Sequence, residues 1–165
     1  MAKLKQTWRE KLETQGKRSN LPRVVEIDER MSQRWGTGTV VIPDPMEVDA
    51  IMRSVPRGRL ITINQIRERL AKKHGATIGC PITTGIFASM AARAAEEDAA
   101  EGKKDITPYW RTLKVGGVLS DKFPGGVEAQ AAKLKAEGHT IEMDRNGKPN
   151  KVKNFERALV ELSGD

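Results

Sequence analysis

Two helix signals separated by a short connection constrain this chain more than any other feature. Thr62 and Gln65 stand at capping-box spacing, so a helix starts there with its first free amides satisfied, and Ile63, Ile66 and Leu70 share one of its faces. The pattern runs to about His74, where Gly75 supplies a helix-ending residue. Residues 76–82, including Cys80-Pro81, make a connection. Thr83 or Thr84 then caps a second helix through Ile86, Phe87, Met90 and Ala94 to about Ala100, and Gly102 stops it. Before the pair, Pro56-Arg57-Gly58-Arg59-Leu60-Ile61 reads as a turn leading into a short strand. A strand followed by two helices joined in this way predicts a helix-turn-helix.

The flanking segments read more coarsely. Leu4, Trp8 and Leu12 predict an amphipathic helix over 3–13, broken by the turn formers of 16–22. Val24 to Ile27 and Thr39 to Ile42 read as extended, and Met31 to Gly38, with Arg34-Trp35-Gly36, as loop. Asp44-Pro45 opens a helix carrying Val48, Ile51 and Met52 on one face and stopping before Pro56. Tyr109 to Lys114 reads as a strand, and 127–137 as a helix closed by Gly138. The Asn146-Gly147 pair predicts a hairpin over 139–152, and Asn154 caps a last helix over 155–162.

Charge alone leaves the partner open between a nucleic acid and general solubility. The net charge is +7 and the pI about 9.7, with residues 1–43 contributing nine basic and five acidic side chains and 44–82 seven and four. A basic excess of this kind is a footprint of nucleic-acid binding. No apolar run reaches the roughly 20 residues of a membrane span, and the N-terminus lacks the apolar core of a secretory signal. The single cysteine makes no internal disulfide, and no Cys/His cluster has metal-ligand spacing. A cytoplasmic protein without a cofactor is the expectation.

The order of motifs from Val55-Pro-Arg-Gly58-Arg-Leu-Ile-Thr62 through Pro108-Tyr109-Trp110-Arg111, Gly116-Gly117, Gly125-Gly126 and Ala132-Lys-Leu-Lys-Ala-Glu137-Gly138 resembles the 6-O-alkylguanine-DNA alkyltransferases over about residues 48–138. In that family a Pro-Cys-His-Arg turn carries the acceptor cysteine, and a glycine-rich loop and a helix ending in Leu-Glu-Gly follow. Here Tyr109 stands in the cysteine's place and Trp110 in that of the activating histidine, while Glu137 matches the relay glutamate. Ile63 aligns with the family's phosphodiester-straining tyrosine, and its arginine finger aligns near Thr84. A phenol is a poor alkyl acceptor beside an activated thiolate. The chain is therefore similar to the alkyltransferase-like proteins, a cysteine-less subgroup that binds alkylated bases without repairing them and signals to excision repair.

The resemblance implies an α+β, mostly helical fold of winged helix-turn-helix type. Its expected parts are an N-terminal helix and basic arm (1–43), the alkyltransferase-like DNA-binding domain (44–138) and a C-terminal hairpin and helix (139–165). It implies double-stranded DNA, alkylated guanine included, as partner, and a repair protein as a further one, with no membrane. The second helix enters the minor groove in that family, which needs small side chains; Thr83, Thr84, Gly85, Ala88 and Ser89 supply them, with hydroxyls for a phosphate. Arg57, Arg59, Arg111 and Lys114 are the expected phosphate contacts, and Pro108, Tyr109 and Trp110 the expected base pocket, where an aromatic floor stacks on a base. The same Tyr109 and Trp110 read equally as core residues filling a disused pocket. Two other functions stay open: a protein-interaction module built on 1–23 and 139–162, and an alkyltransferase using Cys80, although that residue beside Pro81 reads first as a buried structural thiol.

Overall fold

The computed structural model describes residues 6–161 and shows an α+β, mostly helical chain with small sheets. Leu4, expected on the first helix, lies outside the described residues. Helix α1 (Trp8–Arg18) starts where Thr7 Oγ1 accepts the Glu10 amide. Strand β1 (Arg23–Glu26) is followed by α2 (Glu29–Trp35), then by β2 (Thr39–Ile42) and α3 (Pro45–Arg53). Two expectations are corrected here. Gly16 does not break α1: a Cβ there would sit 2.1 Å from Asp44 Oδ2, so the glycine marks the close approach of α1 to the N-cap of α3. The 31–38 segment is largely helix, capped by the Asp28 carboxylate on Met31 N; α2 buries none of its residues, so no apolar stripe announces it.

Strand β3 (Ile61–Thr62) feeds α4 (Ile63–His74), whose Thr62/Gln65 capping box and left-handed Gly75 match the reading of the sequence. The connection is itself a strand, β4 (Ile78–Gly79), which pairs parallel with β2, and β2 pairs antiparallel with β1. Helix α5 (Pro81–Ala100) begins earlier than expected, because Pro81 occupies the first helical position and Cys80, not Thr83 or Thr84, is the N-cap. The Cys80 Sγ accepts the Thr83 amide at 3.5 Å.

Tyr109–Arg111 is a 3-10 turn rather than the start of a strand, and only β5 (Thr112–Leu113) is extended, parallel to β3. A second 3-10 turn, Val115–Gly117, leads to α6 (Gly126–Ala136) and to the hairpin β6 (Ile141–Met143)–β7 (Pro149–Val152). The expected last helix is a four-residue 3-10 turn, Phe155–Ala158, and Asn154 makes no side-chain cap because its own backbone is left-handed at φ 54°.

Two apolar clusters hold these elements. One joins α1, α3, α4 and α5 around Leu12, Val48, Met52, Ile66, Leu70 and Ala91. The other packs Leu60, Leu113, Leu119, Leu134, Ile141 and Val152 between β5, α6 and the hairpin. Trp110 packs against both.

Candidate nucleic-acid interface

Helix α5 is apolar on opposite faces, which requires two coverings. Thr84, Phe87, Ala88, Ala91 and Ala95 are buried against the core. Ile82, Ile86 and Met90, four residues apart, look the other way into a groove of about 810 Å³ between α5, the start of α4 and the 112–123 segment. Ile82, Ile86 and Val115 are 56%, 54% and 62% exposed, so apolar area lies open to water on both groove walls. Arg67, Arg93, Lys114 and Lys122 also line the groove, and among the described residues no carboxylate does. Arg67 Nε donates to Gly79 O at 2.8 Å, fixing that guanidinium at the α4–β4 joint. Arg93 and Lys11 lie over the Trp8 ring at 5.2 and 4.4 Å. Among the described residues, Asp121 meets Lys114 at 3.5 Å while both are exposed, and that cation holds its carboxyl below the usual range.

The acidic second half of α5 faces inward contacts. Glu97 accepts the Trp8 and Arg9 amides at 2.8 and 2.9 Å, so it caps α1 across the two helices. Asp98 pairs with Arg9 at 2.7 Å, and Glu96 takes the Tyr109 hydroxyl at 2.5 Å. None of the three lines the groove.

Behind the 112–123 wall, α6 supplies the scaffolding. Gln130, 1% exposed, accepts the Ser120 amide at 2.8 Å and donates to Trp110 O and Thr112 O at 3.1 and 3.0 Å. One side chain thereby satisfies two backbone groups of the wall segment and one just before it. At the end of α6, Glu137 receives Trp110 Nε1 at 2.9 Å, Arg111 Nε and Nη2 at 2.9 and 2.8 Å, and the Gly58 amide at 3.4 Å. Burial pushes the Glu137 pKa up, but Arg111, Trp110 and Gly58 outweigh it, so the carboxyl is held below its ordinary value.

The expected base pocket is not where the groove lies. Tyr109 is 1% exposed and Pro108 is buried, and neither lines the groove. Phe123 does line it, as Trp8 does, and the Phe123 ring packs edge-on against Tyr109 with centroids 5.5 Å apart. Trp110 turns toward α6, where Glu137 holds its indole and Lys133 lies 4.8 Å over its ring. Burial, then the Glu96 carboxylate, pushes the Tyr109 phenol far above its ordinary pKa of 10.

Of the expected DNA contacts, Gly85, Ser89 and Lys114 line the groove. Ala88 also borders it but is 1% exposed, because its methyl packs into the core. Thr84 is fully buried, and the Thr83 and Thr84 hydroxyls are enclosed rather than offered to a phosphate. Arg111 donates to Glu137 and to Val55 O at 2.7 Å and does not line the groove. Arg57 and Arg59 lie away from the groove, donating to Ala136 O and Leu159 O. The residues missed were Ile82, Ile86, Arg67, Arg93 and Lys122. The signal available for the first two was their four-residue spacing with Met90, on a helix whose other side was already apolar.

No protein-family model matches this chain, and no curated protein does. Among solved structures, S. pombe Atl1 in complex with damaged DNA containing O6-carboxymethylguanine is similar, with a TM-score of 0.50 and 17% sequence identity. The match covers 71% of this chain and 94% of that one. The chain has the fold of an alkyltransferase-like protein.

Proposed function

We propose that this chain binds duplex DNA along the α5 groove and recognises alkylated guanine there without transferring the alkyl group. The observation that carries the reading is a groove with apolar walls and four cations, lined by no carboxylate among the described residues, in a fold shared with S. pombe Atl1, whose structure is a complex with damaged DNA. Lys114 and Lys122 supply phosphate contacts, Arg67 and Arg93 sit where the helix pair opens, and Ile82, Ile86 and Val115 meet sugars or bases. The non-catalytic part is supported by chemistry: the Tyr109 hydroxyl is enclosed and donates to Glu96, and Cys80 is 6% exposed and holds the Thr83 amide. Recognition of alkylated guanine without its repair would, on this reading, link the chain to DNA repair.

Fluorescence anisotropy with plain and 6-O-methylguanine duplexes tests the reading. The expected result is tighter binding to the modified duplex, and for the Lys114→Ala/Lys122→Ala variant a slope of log affinity against log salt shallower by roughly 2. Absence of binding at low salt, or an unaltered slope in the variant, would overturn it. An intact mass that stays constant after incubation with methylated oligonucleotide is the expected outcome for a protein that does not accept the methyl group.

A further inference from the structure

The hairpin beyond α6 is not used by the groove reading, yet it is built onto the groove's wall. Val118, which lines the groove, pairs antiparallel with Lys151 of β7, and Leu119 N donates to Asn150 O at 2.9 Å. The hairpin is therefore one strand spacing, about 4.8 Å, from that wall. Its tip is a rigid turn in which Asp144 Oδ1 accepts the Asn146 and Lys148 amides at 2.8 and 3.0 Å. That carboxylate is consumed by the turn, and Glu142 stands cross-strand from Lys151. Arg145, Lys148 and Lys153 are exposed, and none makes an ion pair among the described residues. From Lys151 to Lys148 the strand advances about 10 Å, and a duplex carries a phosphate charge every ~1.7 Å of its axis.

We infer that the β6–β7 hairpin is a second phosphate-binding surface, which follows the backbone of a duplex lying in the α5 groove and extends the footprint beyond it. Arg145, Lys148 and Lys153 make the contacts. The inference rests on the DNA-binding reading above, and its occupant is the duplex backbone rather than a protein or a lipid surface. Placing cations on a hairpin that hydrogen-bonds to the wall sets their position relative to the groove, which cations on a free tail would lack.

The test compares the full chain with its Arg145→Ala/Lys148→Ala/Lys153→Ala variant on duplexes of about 10 and about 20 base pairs over a salt series. On the longer duplex the variant's salt slope is expected to be shallower by roughly 2 to 3, since each neutralised phosphate contributes about 0.9. On the shorter duplex, which offers the hairpin fewer phosphates, the difference between the two proteins should be smaller. Equal slopes on the longer duplex, with the parent bound, would overturn the hairpin's role and leave the groove reading standing. A parent that binds neither duplex removes both. Because the three side chains are exposed and outside both apolar clusters, unchanged circular dichroism is expected and separates lost contacts from a lost fold.

Discussion

At the scale of single residues, the aromatic turn is a packing device. The phenol of Tyr109 is enclosed by Trp110 and Phe123 rings at 5.3 and 5.5 Å, and its hydroxyl has a carboxylate acceptor in Glu96. Ionising it would place a second negative charge beside that carboxylate in a site away from water, so the folded protein keeps its proton where the unfolded chain's phenol gives it up. Stability from this source is complete below about pH 10 and declines as pH rises past that value. Tyr109→Phe should flatten the alkaline decline, read as urea midpoint against pH between about 9 and 11; an identical alkaline limb in the two proteins would contradict the enclosure. Glu137 has the opposite sign: its lowered pKa contributes stability above the ordinary carboxylate value of 4.5 and loses it as pH falls. The position of Glu137 was legible through the resemblance. What it holds was not, because a bidentate arginine and an indole come together there only after α6 packs on the turn.

At the scale of elements, local chemistry was readable and long-range pairing was not. The capping box at Thr62 and Gln65, the Asp44-Pro45 start and the Asn146-Gly147 hairpin each act within a few residues, so a single sequence displays them. Strand β4 is two residues long and exists because β2, some 38 positions earlier, runs beside it; nothing within residues 76–82 states that. The groove escaped for a related reason. Which of two apolar faces of α5 stays uncovered depends on where α1 and α3 pack. Gly79 shows how tight the joint is. A Cβ there would approach Arg67 O to 2.6 Å and Arg67 Cα to 2.9 Å, both backbone atoms that a rotamer change cannot relieve. Gly79→Ala should therefore part α4 from β4 at a cost of about 2 kcal/mol, lowering Tm by roughly 4–8 °C. A melt that matches the parent would mean the joint opens freely and does not fix Arg67 at the groove.

At the scale of the molecule, the two apolar clusters are coupled by chain crossings that ignore the expected boundary at residue 138. Leu60 N donates to Ala158 O and Val160 N to Leu60 O, both at 2.8 Å, so the C-terminal segment lies alongside the strand that feeds α4. Gln65, half of the capping box of α4, also donates to Val160 O at 2.8 Å. Trp110 packs against both clusters, and Gln130 of α6 ties its carbonyl. A groove whose walls come from different clusters, α5 from one and the 112–123 segment from the other, keeps its width only while these ties hold. The consequence is a single unfolding event. Leu134 is fully buried in the second cluster, far in sequence from α1 and α3, and truncating it to alanine should cost about 2–5 kcal/mol. In a Leu134→Ala chain that also carries Trp8→Phe and Trp35→Phe, so that Trp110 is the sole indole, far-ultraviolet circular dichroism, dominated by α1, α4 and α5, and tryptophan fluorescence should report one coincident urea transition at a lower midpoint. Two separated transitions would show that the clusters unfold independently, and the groove would then be a contact between two units and not a feature of one.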